Sequence, residues 1–297
     1  MNIAEEMGYR PSGIARGLAT RHTHTLGFVV PDNANPFFSE VARGAEDVAY
    51  SEGYRVFLCN TNEEQERELA VLQSLEENRV DGVVLCSSRL QVEQLHTIVP
   101  RFAASVLINR RLEGDEVGMV MIHDELGGQM ATQHLIQTGH KAIGFVAGPP
   151  NSHSSQLRAK GYRSAMVAAG LPDNAHWIQH SYPTVEGGQQ AAHELLIAQP
   201  DLTALFCFND LVAVGVLHAC ADLNLSVPND CAVIGFDDIT LAALVTPSLS
   251  TCYVPRHDLG AQAMHMLLSR IRGDSKEGCE EIILRPELVV RDSTRQR

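Results

Sequence analysis

The sequence predicts an α/β protein with two doubly wound parallel-sheet subdomains. Short apolar runs without polar alternation are separated by longer amphipathic stretches, which is typical of parallel strands covered by helices on both faces. The same order of elements starts again near residue 143. The chain has 297 residues, 44% of them hydrophobic, which is enough for about two domains with their own cores.

The first half alternates strands and helices from residue 25 onward. Residues 26–30 (LGFVV) form an apolar strand that Pro31 ends. The stretch 39–52 then places apolar residues at helical spacing, and Gly53 ends the helix. The rest of this half is predicted as a strand at 54–58, a helix at 64–78 and strands at 80–86 and 105–108.

The second half repeats this order. The run IGFV at 143–146 echoes LGFV at 26–29, and in each case a second glycine follows the first by 26 positions, where the next helix ends. The later elements are predicted as a helix at 184–198, a strand at 204–208, a helix at 211–223 and a strand at 232–236. Two such halves, joined around 121–124, predict a ligand crevice between the strand ends, unless the repetition is coincidental.

Charge restricts nucleic-acid contact to one segment. The chain has 23 Lys and Arg against 36 Asp and Glu, a formal charge of −13, and such a bulk charge repels nucleic acid. Residues 7–31 contain no acidic residue and include Arg10, Arg16 and Arg21. We therefore expect any DNA contact to lie in this segment. The alternative is that the segment is only a short stretch exposed to solvent and binds nothing.

The compartment is predicted from what the sequence lacks. It has no run of 18 apolar residues, and residues 1–20 have no apolar core of a signal peptide, so we expect a cytoplasmic protein with no membrane partner. The seven cysteines form no CxxC pair, and several lie in apolar runs. We expect them to be reduced core residues.

Standard catalytic motifs are absent from the sequence. It contains no phosphate loop of the GxxxxGK[ST] type, no HExxH, no GxSxG and no GxGxxG after the first strand. No three of the 13 histidines share the spacing of metal ligands. These absences favour a protein that is not an enzyme and that needs no cofactor or metal.

Polar residues follow the predicted strands of both halves. They are Asn35, Asn109, Ser152, Ser154, Arg158, Asn209, Asp210, Asp237 and Asp238. Together they offer hydrogen-bond donors and acceptors suited to a hydroxyl-rich small molecule. Helix capping is the alternative for any one of them, above all for Asn209 or Asp210 and for Asp237 or Asp238.

Nine short motifs carry a family resemblance over essentially the whole chain. They are GYRP at 8–11, IARGL at 14–18, PDNANPFF at 31–38, VDG at 80–82, GHKAIG at 139–144, RAKGY at 158–162, FND at 208–210, VP at 227–228 and IGFDD at 234–238. As a series they resemble the lactose-repressor/galactose-repressor (LacI/GalR) family of bacterial transcriptional regulators. The resemblance implies a fold like that of type I periplasmic sugar-binding proteins, preceded by an N-terminal hinge segment.

The resemblance also implies a domain division. Residues 1–22 are the remnant of a DNA-binding headpiece with its hinge. Residues 23–122 with 254–282 form one effector-binding subdomain, and residues 123–253 with 283–297 form the other. The effector, a sugar or sugar-like metabolite, is expected between the two.

Effector contacts follow from the same resemblance. Arg158 and Asp237 match effector-contacting positions in the second half, and Tyr182 is assigned to the site with them. The opposite wall is expected to hold Asn35, Phe37, Phe38 and Asn109. Because the two phenylalanines are adjacent in a predicted loop, one of them is expected to pack into the core.

Family members begin with a helix-turn-helix of about 45 residues, of which residues 1–8 resemble only the tail. Residues 13–18 resemble the hinge helix, in which a leucine matching Leu18 wedges into the minor groove. The other expected DNA contacts are Arg10, Pro11, Ser12 and Arg16. The implied partners are operator DNA, a small-molecule effector and a second copy of the chain in a homodimer.

The leading hypothesis is a ligand-responsive transcriptional regulator, most simply a repressor, which as it stands binds DNA weakly. A stand-alone sugar-binding protein without DNA-binding activity is the first alternative. An α/β enzyme using Asp237, Arg158 and Asn209 is the second, although no nucleophile–base pair can be named for it.

Overall fold

The computed structural model describes residues 22–114, 117–274 and 280–295. The predicted DNA contacts Arg10, Pro11, Ser12, Arg16 and Leu18 lie outside the described residues, as does the rest of the hinge segment up to residue 21. Their assignment stays a prediction.

Strands and helices alternate along both halves. The first half contains β1 (Thr25–Val30), α1 (Pro36–Ser51), β2 (Arg55–Asn60), α2 (Gln65–Glu77), β3 (Gly82–Cys86), α3 (Val92–Ile98), β4 (Ser105–Ile108) and β5 (Gly118–Ile122). The second half contains α4 (Asp124–Gln137), β6 (Ile143–Ala147), α5 (His153–Ala168), β7 (Ile178–His180), α6 (Val185–Ala198), β8 (Ala204–Cys207), α7 (Asp210–Asp222) and β9 (Ala232–Ile234). The chain continues through α8 (Thr240–Leu244), β10 (Thr251–Tyr253), α9 (Arg256–Arg272), β11 (Glu281–Leu284) and β12 (Glu287–Val289).

Both sheets have the same parallel order. The six-stranded sheet runs β11-β5-β4-β3-β1-β2, in which β1 pairs in parallel with β2 and β3, and β3 with β4. The four-stranded sheet runs β7-β6-β8-β9 with parallel pairing throughout. Each half therefore has its second strand at the edge and its first, third and fourth strands in sequence, which confirms the predicted doubly wound α/β fold and its repetition.

Two glycine pairs mark the repeat. Gly53 and Gly170 have φ values of +80° and +68° and end the helices that follow the first strand of each half. A Cβ on Gly27 would lie 2.6 Å from Leu75, and one on Gly144 would meet a leucine at the same distance. The paired glycines in the first strands thus make room for leucines.

The chain divides into two compact units. Unit 1 comprises residues up to 32, 41–119 and 260–281, and unit 2 comprises residues 33–40, 120–259 and 282 onward. The core of unit 2 packs α6 and α7 against the sheet through residues such as Leu195, Leu205, Val216 and Val233. No helix among the described residues is long and apolar enough to cross a membrane.

Some predicted boundaries were wrong. The helix expected at 39–52 begins at Pro36, so Phe37 and Phe38 lie in its first turn and not in a loop. The strands expected to reach residues 208 and 236 end at Cys207 and Ile234.

Candidate ligand-binding site

The candidate site is centred on the loop that follows β9 in unit 2. Asp237 and Asp238 have φ values of 105° and 53°, a region that costs a non-glycine residue energy. The Asp210 carboxylate holds this loop, because it accepts hydrogen bonds from the Ile239 backbone N–H at 2.8 Å and from the Thr251 hydroxyl at 2.6 Å. Strained backbone that is held in this way is typical of functional loops.

Asp210 is itself fully buried, and a glycine makes room for it. A Cβ on Gly235 would lie 2.2 Å from Asp210 Oδ1. Burial raises the pKa of Asp210 well above its usual value, and the neighbouring charge of Asp237 raises it further. Asp210 therefore supports the loop from inside the unit.

Arg158 lies beside this loop and is almost completely buried, with 3% of its side chain exposed. Its Nε donates to Asp124 Oδ1 at 2.7 Å and its Nη1 donates to the Phe208 carbonyl at 2.6 Å. Its Nη2 lies 3.8 Å from Asp237 Oδ1. The guanidinium carbon also lies 3.6 Å from the centre of the Phe236 ring, a cation–π contact. Four groups thus fix the position of this side chain.

Close packing of α4 on α5 sets where Arg158 stands. A Cβ on Gly128 in α4 would lie 2.3 Å from the Arg158 carbonyl oxygen, and one on Gly161 in α5 would lie 2.1 Å from the Glu125 carbonyl oxygen. The two backbones therefore approach as closely as glycine allows. A side chain at either position would displace the helix that carries Arg158.

The buried Asp237 carboxylate is the group of this site whose hydrogen-bonding capacity is not used by the described residues. No described residue donates a hydrogen bond to it, although the Arg256 guanidinium binds the Asp237 backbone carbonyl at 2.9 Å. Burial raises the pKa of Asp237 to about 7, whereas Arg158 and Arg256 act in the opposite direction. A ligand hydroxyl or amine could supply the missing hydrogen bond.

The capping interpretation is correct for two of the predicted residues. Asn209 caps α7, since its Oδ1 accepts from the Val212 N–H at 2.9 Å. Ser152 caps α5, since its Oγ accepts from the Ser155 N–H at 3.3 Å. For Asp237 and Asp238 the capping alternative is wrong, because the cap position of α8 is Ile239 and no side chain caps it.

The other predicted residues of unit 2 differ in exposure. Ser154 is buried in the first turn of α5, whereas Tyr182, just before α6, is half exposed. Asn35 is buried and accepts a hydrogen bond from the Phe37 N–H at 2.9 Å. Phe37 and Phe38 are both buried, and their rings lie edge to face at 5.1 Å.

Asn109 stands in unit 1, directly after β4, with a φ of 53° and 2% of its surface exposed. A buried charge cluster follows the neighbouring strands of this unit. Arg89 donates to both oxygens of Glu63, at 2.5 and 3.1 Å, and its backbone N–H donates to Glu68 Oε2 at 2.9 Å. Arg110 donates to the Leu90 carbonyl at 2.7 Å.

Sequence reasoning missed several residues that build the site. Asp124, the carboxylate that holds Arg158, was seen only as part of the crossover between the halves. Phe208 and Phe236 belong to the family motifs at 208–210 and 234–238, but the sequence did not predict their contacts with Arg158. An acidic residue that starts a helix directly after a buried strand was the available signal for Asp124. Nothing in the sequence pairs Glu63 with Arg89, since 26 positions separate them.

Among the described residues, no group of three or more His, Cys, Asp or Glu side chains is arranged to hold a metal ion.

A family model described as periplasmic binding proteins and sugar binding domain of LacI family matches residues 23–289. The chain belongs to the LacI family. The HTH-type transcriptional repressor PurR of Aliivibrio fischeri (strain ATCC 700601 / ES114) is 34% identical to this LacI-family chain over 297 residues, which cover 99% of the chain and 88% of that protein. Catabolite control protein A of Priestia megaterium is 36% identical over 270 residues, covering 90% and 81%.

Structural similarity points to the same LacI-family group. A solved structure described as the transcriptional regulator CelR–cellobiose complex matches with a TM-score of 0.85 at 29% identity, covering 98% of this chain and 88% of that one. These relatives are transcriptional regulators rather than enzymes.

Proposed function

We propose that this LacI-family protein is a ligand-responsive transcriptional regulator, a repressor, whose core binds a sugar or sugar-like effector. The observation that carries the proposal is the Asp237 carboxylate, which stands beside a fixed Arg158 and accepts no hydrogen bond from any described residue. The family to which the chain belongs and the cellobiose complex of one structural neighbour support a carbohydrate as the ligand.

The site offers what a sugar needs. Asp237 accepts hydrogen bonds from hydroxyl groups, and a charge-assisted hydrogen bond of this kind contributes about 1.5–3 kcal/mol. Asn35, Ser154, Asn209 and Asn109 are proposed as further polar contacts. Phe37, Phe38 and Tyr182 are proposed to offer apolar faces to the sugar ring.

The regulatory part of the proposal concerns DNA. Two hinges of a homodimer, carrying Arg10, Pro11, Ser12, Arg16 and Leu18, are proposed to bind operator DNA in the cytoplasm. An effector that binds one conformation of the core more tightly than another shifts the population of that conformation. The spacing of the hinges, and so the affinity for DNA, changes with it.

Without a helix-turn-helix before them, residues 1–297 are proposed to bind DNA weakly and with little preference for its sequence. A stand-alone sugar-binding protein is the second candidate function, favoured by the −13 formal charge.

The experiment that tests this function selects genomic DNA fragments with the full-length gene product. The selection is repeated with each member of a panel of neutral mono- and disaccharides, including cellobiose and ribose. We expect a specific set of fragments whose recovery changes at least tenfold with one sugar. A sugar that raises the thermal midpoint while no fragment is recovered would favour the stand-alone binding protein.

A further inference from the structure

Two cysteines of unit 2 lie side by side although 11 positions separate them in the chain. Cys220 is in the last turn of α7, and Cys231 directly precedes β9. The Leu225 N–H donates to the Cys220 carbonyl at 2.8 Å, and the Cys231 N–H donates to the Ser226 carbonyl at 3.3 Å. The loop between the two cysteines therefore folds back on both of them, and their thiols form a hydrogen bond with each other.

The pair lies just beneath the surface of unit 2. Both side chains are buried in the apolar core of that unit. Ala221, which follows Cys220, and Asp230, which precedes Cys231, are exposed. Local opening of the one loop at 221–230 would therefore admit a small solute to the thiols without unfolding the rest of the unit.

Among the six cysteines that the structure describes, Cys220 differs in its thiol chemistry. The hydrogen bond from Cys231 lowers the pKa of Cys220, because it stabilises the thiolate. Burial raises the pKa of four other described thiols, those of Cys59, Cys86, Cys207 and Cys252. The thiolate is the reactive form of cysteine, so we expect an oxidant to react first at Cys220.

We propose that Cys220 and Cys231 are a redox-active pair, which closes to a disulfide when the protein meets hydrogen peroxide and which thiol reductants open again. Both thiols are reduced in this structure. The inference concerns residues other than the proposed effector contacts, and it does not depend on the effector.

The reaction with hydrogen peroxide balances within the pair. The Cys220 thiolate attacks one peroxide oxygen, the O–O bond breaks, and the hydroxide that leaves takes up a proton to become water, which gives a sulfenic acid at Cys220. The Cys231 sulfur then attacks the Cys220 sulfur, the S–O bond breaks, and a second water leaves with the Cys231 proton. The two thiols lose two electrons in total, and one peroxide is reduced to two waters.

A disulfide at this place would connect two elements that carry the Asp237 loop. The helix α7 begins at Asp210, whose carboxylate holds that loop through the Ile239 N–H, and β9 leads directly into it. The cross-link would join the ends of α7 and β9 that are distant from the loop, and it would restrict the unfolded chain. We therefore expect oxidation to stabilise unit 2 against urea.

The first test maps the cysteines of the folded full chain after treatment with hydrogen peroxide. Free thiols are blocked, and the chain is cleaved before aspartate residues, which places Cys207, Cys220 and Cys231 in the separate peptides 201–209, 210–221 and 230–236. We expect peptide 210–221 to be linked to 230–236 roughly tenfold more often, or more, than either is linked to 201–209. Absence of this link would overturn the proposal, and so would a predominant link through peptide 201–209.

The second test uses variants and the fluorescence of Trp177, which packs against the same core. The urea transition of the wild type should shift to higher urea after oxidation, and dithiothreitol should reverse the shift. In Cys231→Ala the shift should be lost, and a reagent for sulfenic acids should label Cys220. The matched control Cys207→Ala removes a buried thiol of the same core and should keep both the link and the shift.

A shift that persists in Cys231→Ala would contradict the pairing of the two thiols. The mapping of the wild-type chain needs no substitution, so it decides the matter even if a variant fails to fold.

Discussion

Replacing Asp124 by alanine should destabilise unit 2 far more than replacing its neighbour Glu125. Both residues lie in the first turn of α4 and both bind a cation on α5, Asp124 with Arg158 at 2.7 Å and Glu125 with Lys160 at 2.8 Å. The first pair is buried, whereas Lys160 is 67% and Glu125 35% exposed. Burial is therefore the main difference between the two substitutions.

The expected magnitudes follow from that difference. Removing one partner of a buried ion pair costs about 3–5 kcal/mol, because the other charge is left in a poorly solvated site. Removing one partner of an exposed pair costs less than about 1 kcal/mol. For a unit of roughly 160 residues, each kcal/mol lowers the thermal midpoint by about 2–4 °C, so Asp124→Ala should lower it by about 10 °C.

The chain provides its own probe for the measurement. Its single tryptophan, Trp177, lies in unit 2 and packs partly buried against the core of that unit. Urea unfolding followed by Trp177 fluorescence therefore reports on unit 2. If Asp124→Ala and Glu125→Ala lower the unfolding free energy by the same amount, within about 1 kcal/mol, the reasoning about burial is refuted.

Three further predictions use other features of the molecule. Gly161→Ala should lower both the unfolding free energy of unit 2 and the affinity for the effector, since its Cβ would meet the Glu125 carbonyl oxygen at 2.1 Å. The control Ser164→Ala, at an exposed position of the same helix, should change neither quantity. If the two variants behave alike, the close approach of the helices does not have the effect expected here. The pKa of Asp237 is raised to about 7, against about 3.9 in the unfolded chain, so its contribution to stability is full below about pH 4 and is lost as pH rises through 7. Asp237→Asn should remove that part of the pH dependence. Plots of unfolding free energy against pH that run parallel for the wild type and the variant would contradict this prediction. Sedimentation at micromolar concentration should give a homodimer, and a monomer alone would argue against two hinges acting together.

The sequence was sufficient for the doubly wound sheets because their signal is local. Buried parallel strands such as β3 and β4 are continuous apolar runs, and the glycines at 53 and 170 mark the helix ends in both halves. The long helix α9 and the strands β10 to β12 were not predicted. Tertiary packing decides those segments, and three-residue strands carry no clear period.

The candidate site could be predicted only in part. Residues at strand ends were found because topology places them at one edge, as with Asp237 and Asn209. Which of them caps a helix and which keeps an unsatisfied oxygen depends on side-chain geometry, so Asn209 and Ser152 proved to be caps. The partners of Arg158 come from residues 124, 208 and 236, and no sequence pattern joins positions so far apart.

Isothermal titration of the neutral sugar with the highest affinity, into the wild-type chain and into Asp237→Ala, tests the central claim most directly. Loss of a buried charge-assisted hydrogen bond of about 1.5–3 kcal/mol should weaken binding tenfold or more. Trp177 fluorescence should confirm that the variant is folded at the temperature of the titration. An unchanged dissociation constant in a folded Asp237→Ala would contradict the account, because the carboxylate on which it depends would not touch the ligand.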